Sequence, residues 1–377
     1  MPKAVKPPTS KGRTVTIGLP QLRSKQRACH WYEMAQANLS GFELARAQKR
    51  IASIQEAASP QDTEPPETPP FTRTKTRINL DATVFKSTGT TLSGVQSDAV
   101  RTLSPEAGKP YLLQGEYRVP EGMQLEIEAG VIIVCAPRSQ LTVNGTLLIH
   151  GTADKPVEIR GTRHQFNWWK GLVLNGVKET KLQSLYLSDA EVGIAIDKSR
   201  PTFEGCVVAN NTIGLSIGHY SSDTHAADLN DCVVSFNKSH GISMHGSSSS
   251  ITSCTITHNG GYGIEGAYYV NPTLKDTIIS LNSGGGIHLS VYDSKVVADG
   301  CFLAGNRGVD IKNESSPEWD LRGNYWGPGI TALFKKSGGA VLPLPNISGK
   351  VQVDPYLDKM PPKCGASIKE INGAKLW

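Results

Sequence analysis

Between Gly214 and Asp293 the chain repeats a short polar-aromatic pattern. Gly214 leads to His219 and Tyr220, Gly241 to His245, Gly263 to Tyr268 and Tyr269, and Gly286 to His288 and Tyr292, with Asp293 beside it. Aromatic rings stack on the apolar faces of sugars, while imidazoles and carboxylates bond to hydroxyls. Nearly equal offsets from the glycines place these eight side chains on one flank of a repeating fold, a candidate platform for an extended glycan. A second set is acidic. Asp223, Asp228 and Asp231 fall in the longest repeat, Asp276 and Asp299 each precede a repeat start as Asp231 does, and Asp189 takes the asparagine position of an earlier repeat. Clustered carboxylates hold calcium, and calcium with a Lys or Arg that removes a proton α to a carboxylate makes a lyase; Lys275, Lys295 and Arg307 are near in register. Aspartate at a corner also reads simply as a turn residue. A glycoside hydrolase needs a paired acid and base, and no Asp-Asp pair occurs in the chain.

The elements that must position these residues recur every 22–26 residues. Cys206, Cys232, Cys254 and Cys301 are each followed five positions later by Asn211, Asn237, Asn259 and Asn306, and Thr277 with Asn282 keeps the phase. A glycine or once a valine follows: Gly214, Gly241, Gly263, Gly286 and Val309. Such a period marks a solenoid, in which each repeat buries its apolar face against its neighbours. The segment after each start alternates with β-branched enrichment, as in Cys206-Val-Val-Ala-Asn-Asn211 and Cys254-Thr-Ile-Thr-His-Asn259, so it reads as a short strand. The leucine spacing of a leucine-rich repeat is absent. Short strands with Gly and Asn corners fit a right-handed parallel β-helix, with coils about 4.8 Å apart. Equivalent residues then stack: Cys over Cys with Val208, Val234, Ile256 and Leu303 inside, and Asn over Asn at a corner, amide to amide and to corner carbonyls.

The chain has seven cysteines. Four share one interior column, where a thiol behaves as a small apolar residue; they are expected to be reduced, buried and inert. Cys29, Cys135 and Cys364 lie outside that column, and no CxxC or His-x-x-His spacing supports zinc. No metal or cofactor is expected, save Ca²⁺ if the chain is a lyase.

The remaining chain divides into zones. Residues 1–18 read as a disordered tail, residues 19–58 as an αα-hairpin with a capping box at Ser40-Gly-Phe-Glu43, and residues 59–77 as a Pro-rich linker. The β-helix is expected over residues 78–357, with an N-terminal cap and C-terminal closure, leaving a tail at 358–377. Strands of the first coils read at 111–117, 124–128, 130–134, 141–143, 146–149 and 157–160. The net charge is +5. Residues 1–58 hold ten Lys/Arg against three Asp/Glu, which leaves the solenoid nearly neutral, with no bulk attraction for nucleic acid. No run of 18 apolar residues reads as a membrane span, and Met1–Thr16 lacks the apolar core of a signal peptide.

The order Leu113-x-Gly-x-Tyr-x-Val119, Leu125-x-Ile-x-x-Gly-x-x-Ile133, Leu141-x-Val-x-Gly-Thr-Leu147, Trp169-x-Gly171, the coils from Asp189 to Ile311, Asn324-Tyr-Trp-Gly327 and Val353-Asp-Pro-Tyr-Leu357 resembles bacterial right-handed parallel β-helix repeat proteins of the pectin-lyase-like superfamily. The resemblance covers roughly residues 110–357 and implies the fold more sharply than a function, since that superfamily mixes lyases, hydrolases, epimerases and adhesins. Arg27-Ala-x-x-Trp31-Tyr-x-x-Ala35 with Leu39-Ser-Gly-Phe-x-x-Ala45 resembles a helical unit of secreted planctomycete-type proteins, which implies an extracellular or periplasmic place. The pattern also resembles copper-processing periplasmic β-helices, but five methionines and no clustered His/Met/Cys set argue against that chemistry. The expected function is therefore a noncatalytic module of the cell envelope or secreted space that binds glycan or joins a surface assembly. The alternative is a polysaccharide lyase or glycoside hydrolase acting on an acidic polysaccharide.

Overall fold

The computed structural model describes residues 89–105, 109–177, 179–218, 225–290, 293–337, 346–368, 370–371 and 374–375. The expected tail at 1–18, αα-hairpin at 19–58 and linker at 59–77 lie outside the described residues.

From Thr91 to Gln352 the chain is a parallel β-solenoid. Each repeating coil carries three short strands. The first face holds Thr202–Glu204, Asp228–Asn230, Ser250–Thr252, Thr273–Lys275 and Val297–Asp299. The second holds Val207–Ala209, Val233–Ser235, Thr255–Thr257 and Ile278–Ser280. The third holds Val192–Asp197, Ile213–Ile217, Ile242–His245, Tyr262–Ala267, Gly285–Ser290 and Val309–Glu314. Every strand pairs in parallel with its counterpart one coil on. The inward positions of successive coils form one apolar core running the length of the described coils. The earlier coils obey the same rule with longer strands, such as Tyr111–Val119 and Gln124–Glu128.

Two corners fix the register. At the corner between the second and third faces, the asparagines form a continuous ladder. Asn211 Nδ2 donates to Asn237 Oδ1 at 3.2 Å, Asn237 to Asn259 at 2.9 Å, Asn259 to Asn282 at 2.9 Å and Asn282 to Asn306 at 3.0 Å. Each Oδ1 also accepts the backbone N–H of the preceding coil's asparagine, at 3.0–3.1 Å. The same Nδ2 groups reach back to carbonyls such as Val208, Val234, Ile256 and Ile279. Every amide is thus fully used in a dry site, which is what a buried amide requires.

The ladder explains the glycines. A Cβ on Gly214, Gly241 or Gly263 would lie 2.8 Å from the Nδ2 of Asn237, Asn259 or Asn282. Val309 does not belong to this column. It pairs with Gly285, so Asp310 stands opposite Gly286. Asp310 closes the ladder instead: Oδ1 accepts from Asn306 N and Nδ2, both at 2.9 Å, and Oδ2 accepts from Asn346 Nδ2 at 2.9 Å. At the other end Asp189 is displaced by one residue from the expected position. Tyr186 pairs with Val207, which puts Ala190 at the ladder site, and Ala190 N donates to Asn211 Oδ1 at 2.9 Å. Asp189 instead occupies the left-handed corner position shared by Asn210, Phe236, His258 and Leu281.

The corner between the first and second faces carries the cysteines. The interior column reads Cys206, Cys232, Cys254, Thr277, Cys301 and Asn324, all buried. These side chains are more than apolar filler. Cys254 Sγ accepts the N–H of Cys232, Thr277 Oγ1 that of Cys254, and Asn324 Oδ1 that of Cys301. The thiols of Cys232, Cys254 and Cys301 face carbonyl oxygens two residues back at 3.1–3.3 Å. None of the six described cysteines is in a disulfide, and burial pushes the thiols of Cys206, Cys232 and Cys301 well up.

A helix, Gly327–Ser337, follows the last full coil. Gly-Pro-Gly reads as a helix breaker, but Pro328 sits in the first turn, where its missing N–H has no partner to lose. Trp319, Trp326 and Ile330 are buried at this end of the core. Residues 364–368 then return along the second face, described below.

Asn259→Ala removes four ladder bonds at once, leaving the N–H of Asn237 without its acceptor and its Nδ2 with the Val208 carbonyl alone. Chemical denaturation of the variant is expected to show a loss of about 1–3 kcal/mol; a loss within error of zero contradicts the ladder.

Candidate functional site

The triplet before each interior cysteine runs out, in, out. Phe203, Leu229, Ile251, Leu274 and Ala298 point into the core. Outside them, Thr202, Asp228, Ser250, Thr273 and Val297 form one column and Glu204, Asn230, Thr252, Lys275 and Asp299 the next. Lys181 and Gln183 continue both columns toward the earlier coils. Lys181 through Thr252 line an open groove of about 520 Å³ that crosses four coils of the first face. Its outward lining is wholly polar, with one cation, Lys181, against the carboxylates of Glu204 and Asp228. Asn230 Nδ2 donates to Glu204 Oε2 at 2.8 Å across one coil step, which orients that carboxylate along the solenoid axis. The groove escaped notice in the sequence because Ser, Thr and Asn look like any solvated face. The readable signal was the triplet itself: Thr-Phe-Glu, Asp-Leu-Asn and Ser-Ile-Thr at a fixed distance before Cys206, Cys232 and Cys254.

The polar-aromatic stripe lies elsewhere and does not form one column. His219, Tyr220 and Tyr292 lie outside the described residues. His245 ends a third-face strand and pairs with Ala267, which pairs with Ser290. Tyr268 and Tyr269 come next, at the corner beyond that strand, both with positive φ and exposed. His288 sits two positions earlier, paired with Glu265 and Lys312 on the sheet surface. Asp293 is exposed in the connection between the strands Gly285–Ser290 and Val297–Asp299. The structure therefore groups His245 with Tyr268 and Tyr269 and separates His288 from them. His288 and the His245 column share the outward side of the third face but stand two residues apart along the strand, while Tyr268 and Tyr269 fall at the corner beyond it.

His288 belongs to a third-face cluster that the sequence did not reveal. Its Nε2 lies 2.8 Å from Glu314 Oε2, and Lys312 Nζ lies 2.8 Å from Glu314 Oε1. The Lys312 bond first, then His288, hold the Glu314 carboxyl below its usual range. The Tyr262 ring packs between His288, at 4.9 Å, and His240, at 6.1 Å and nearly parallel. His240 Nδ1 accepts from Tyr262 N at 3.2 Å. The Tyr262 ring is thus flanked by an imidazole on each side, stacked on His240 and tilted against His288.

The aspartates do not gather. Lys275 pairs with Asp299, so Gly300, not Asp299, stands opposite Asp276. Asp231 accepts from the backbone N and Oγ of Ser367, and Asp189 from Gly161 N, Ser188 Oγ and His164 Nδ1. Asp223 lies outside the described residues. Among the described residues no three His, Cys, Asp or Glu side chains converge on a point that suits a metal ion. No helix among them is long and apolar enough to cross a membrane.

With this geometry in hand, the comparisons with known proteins bear on the fold. A family model described as right handed beta helix region matches residues 216–325. The fold is a right-handed parallel β-helix. No curated protein and no solved structure matches the chain.

Burial holds the pKa of His240 below the ordinary 6.5, opposed by Glu265 and reinforced by His288. His258 is lowered too, by burial and then by Arg307. A folded-state value below the unfolded one means that the stability is present above pH 6.5 and is lost as pH falls through the folded value. The melting temperature is expected to fall below pH 6.5, and less so in His240→Gln; an identical pH profile for that variant contradicts the assignment.

Proposed function

We propose that the chain is a noncatalytic glycan-binding module of the secreted space or cell envelope, and that the glycan lies along the first-face groove. One observation carries this reading: a polar trough repeated at the coil spacing over four coils, built from Lys181, Gln183, Thr202, Glu204, Asp228, Asn230, Ser250 and Thr252. Hydroxyl and amide side chains at a regular spacing match the hydroxyls of an extended polysaccharide, and weak subsites add along a polymer. The charge balance favours a neutral glycan over a polyuronate. A polyuronate presents a carboxylate on every sugar, and the groove supplies a single lysine against two carboxylates. Tyr268 and Tyr269, at the far corner of the third face, are the competing site.

A hydrolase is the second reading, and the observation that favours it is the presence of Glu204 and Asp228 on neighbouring coils of the same groove. Two carboxylates across a glycosidic bond are the minimum for hydrolysis.

A glycan array, followed by titration calorimetry of the best ligand, tests both. The double change Asn230→Ala, Thr252→Ala is expected to weaken binding about tenfold, as two hydrogen bonds of roughly 0.5–1 kcal/mol each imply. Tyr268→Ala with Tyr269→Ala is expected to leave affinity unchanged. The reverse pattern moves the site to the corner tyrosines. New reducing ends that vanish in Glu204→Gln establish the hydrolase.

A further inference from the structure

The glycan groove does not use the second face, and a segment of the chain already lies across it. Cys364, Gly365 and Ala366 are buried. Three successive N–H groups find acceptors on three successive coils. Gly365 N donates to the Asp276 carbonyl at 2.8 Å, Ala366 N to Thr255 Oγ1 at 2.9 Å, and Ser367 N to the Asp231 carboxylate, which also takes the Ser367 hydroxyl. The strap advances one residue per coil, along the solenoid axis and across the strands. Its side chains meet an apolar row: Ala366 packs in a cluster with Tyr186, Val207, Ala209 and Val233, and Ile368 and Phe236 pack against that cluster.

The fit is close. Gly365 has φ +85°, and a Cβ there would lie 2.5 Å from Ile278 Cδ1 and 3.0 Å from Thr255 Oγ1. Beside the strap, Ser235 and Ser280 have buried hydroxyls with no partner among the described residues, so the face retains unused polar capacity. A row of a carbonyl, a hydroxyl and a carboxylate at the coil spacing reads a peptide through its main chain. Apolar neighbours select small side chains at the first two positions.

We infer that the second face is a docking site for a short peptide of the pattern Gly-Ala-Ser-Ile bent at its glycine, filled in a single chain by residues 364–368 and open to the same segment of a second copy. The Gly365, Ala366 and Ser367 amides all bond to the coils beneath them, and residues 357–363, with prolines at 361 and 362, form the connection across which the strap would exchange.

The test uses the full chain and a fluorescein-labelled synthetic peptide of residues 361–371, followed by fluorescence anisotropy under reducing conditions. Gly365→Val in the chain unseats its own strap. That variant, shown to be folded by circular dichroism and thermal melting, is expected to bind the wild-type peptide about tenfold or more tightly than the wild-type chain does. Adding Asp231→Ala to it is expected to abolish the gain, and the peptide carrying Gly365→Val is expected not to bind. A folded variant that ignores the wild-type peptide, or binds both peptides alike, overturns the inference. If Gly365→Val does not fold, amide exchange on the wild-type chain decides. Gly365, Ala366 and Ser367 are expected to exchange together and faster than Asn237 and Asn259; equal or slower exchange shows a strap that cannot separate and ends the proposal.

Discussion

The structure depends on a pairing between an amide and an absence. Each ladder asparagine sends its Nδ2 under a glycine of the third face, and there is room for it only because that glycine has no Cβ. The oxygen of the same side chain accepts both the backbone N–H and the Nδ2 of the preceding asparagine. A coil that slipped by one residue would lose the amide bonds and drive a side chain into them, so register is set at this corner rather than along the strands. The strands are only three residues long on two of the faces and have little power to define it. The cost of the arrangement is visible one residue earlier. Asn210, Phe236, His258 and Leu281 all carry φ near +55°, a conformation that costs a non-glycine residue about 1–2 kcal/mol and that the following asparagine holds in place.

With register fixed at one corner and reinforced at the cysteine corner, the three faces are released for different work. The first presents hydroxyls, amides and a few charges in two columns. The second is apolar enough to need cover, which residues 364–368 provide. The third carries the His240–Tyr262–His288 stack and the Glu314 bridge to Lys312. Asp310 shows how the repeat is ended: a carboxylate placed where a glycine would stand takes the last asparagine's two donors and a further amide from Asn346. A glycine at that position would leave Asn306 unsatisfied.

What could be read from the sequence follows the same physics. Cysteine, asparagine and glycine were legible because their sites demand particular atoms at fixed spacing, and the first strands because alternation survives in single segments such as Tyr111–Val119. Asp310 was hidden because its role depends on standing in a glycine column, which a count to Val309 missed by one. Asp189 was misplaced by the same one-residue slip, since Tyr186 pairs with Val207 and Ala190 takes the ladder site. The groove was hidden because its residues are chemically ordinary and matter only when stacked. The strap was hidden because Ala366 and Ser367 meet partners 111 and 136 residues away, with no periodicity to announce them. The glycan stripe was read from unequal offsets, and a shift of two positions along the strand parts His288 from His245 on the same side of the third face.

The central claim is that the asparagine corner, not strand pairing, holds the coils in register. Native-state hydrogen exchange on the backbone amides of Asn211, Asn237, Asn259, Asn282 and Asn306 tests it most directly. These five amides are predicted to be among the slowest in the chain and to open together, at the free energy of global unfolding. Exchange at the rates of the exposed corners, or independent opening of single coils while the neighbouring strands stay protected, would contradict it.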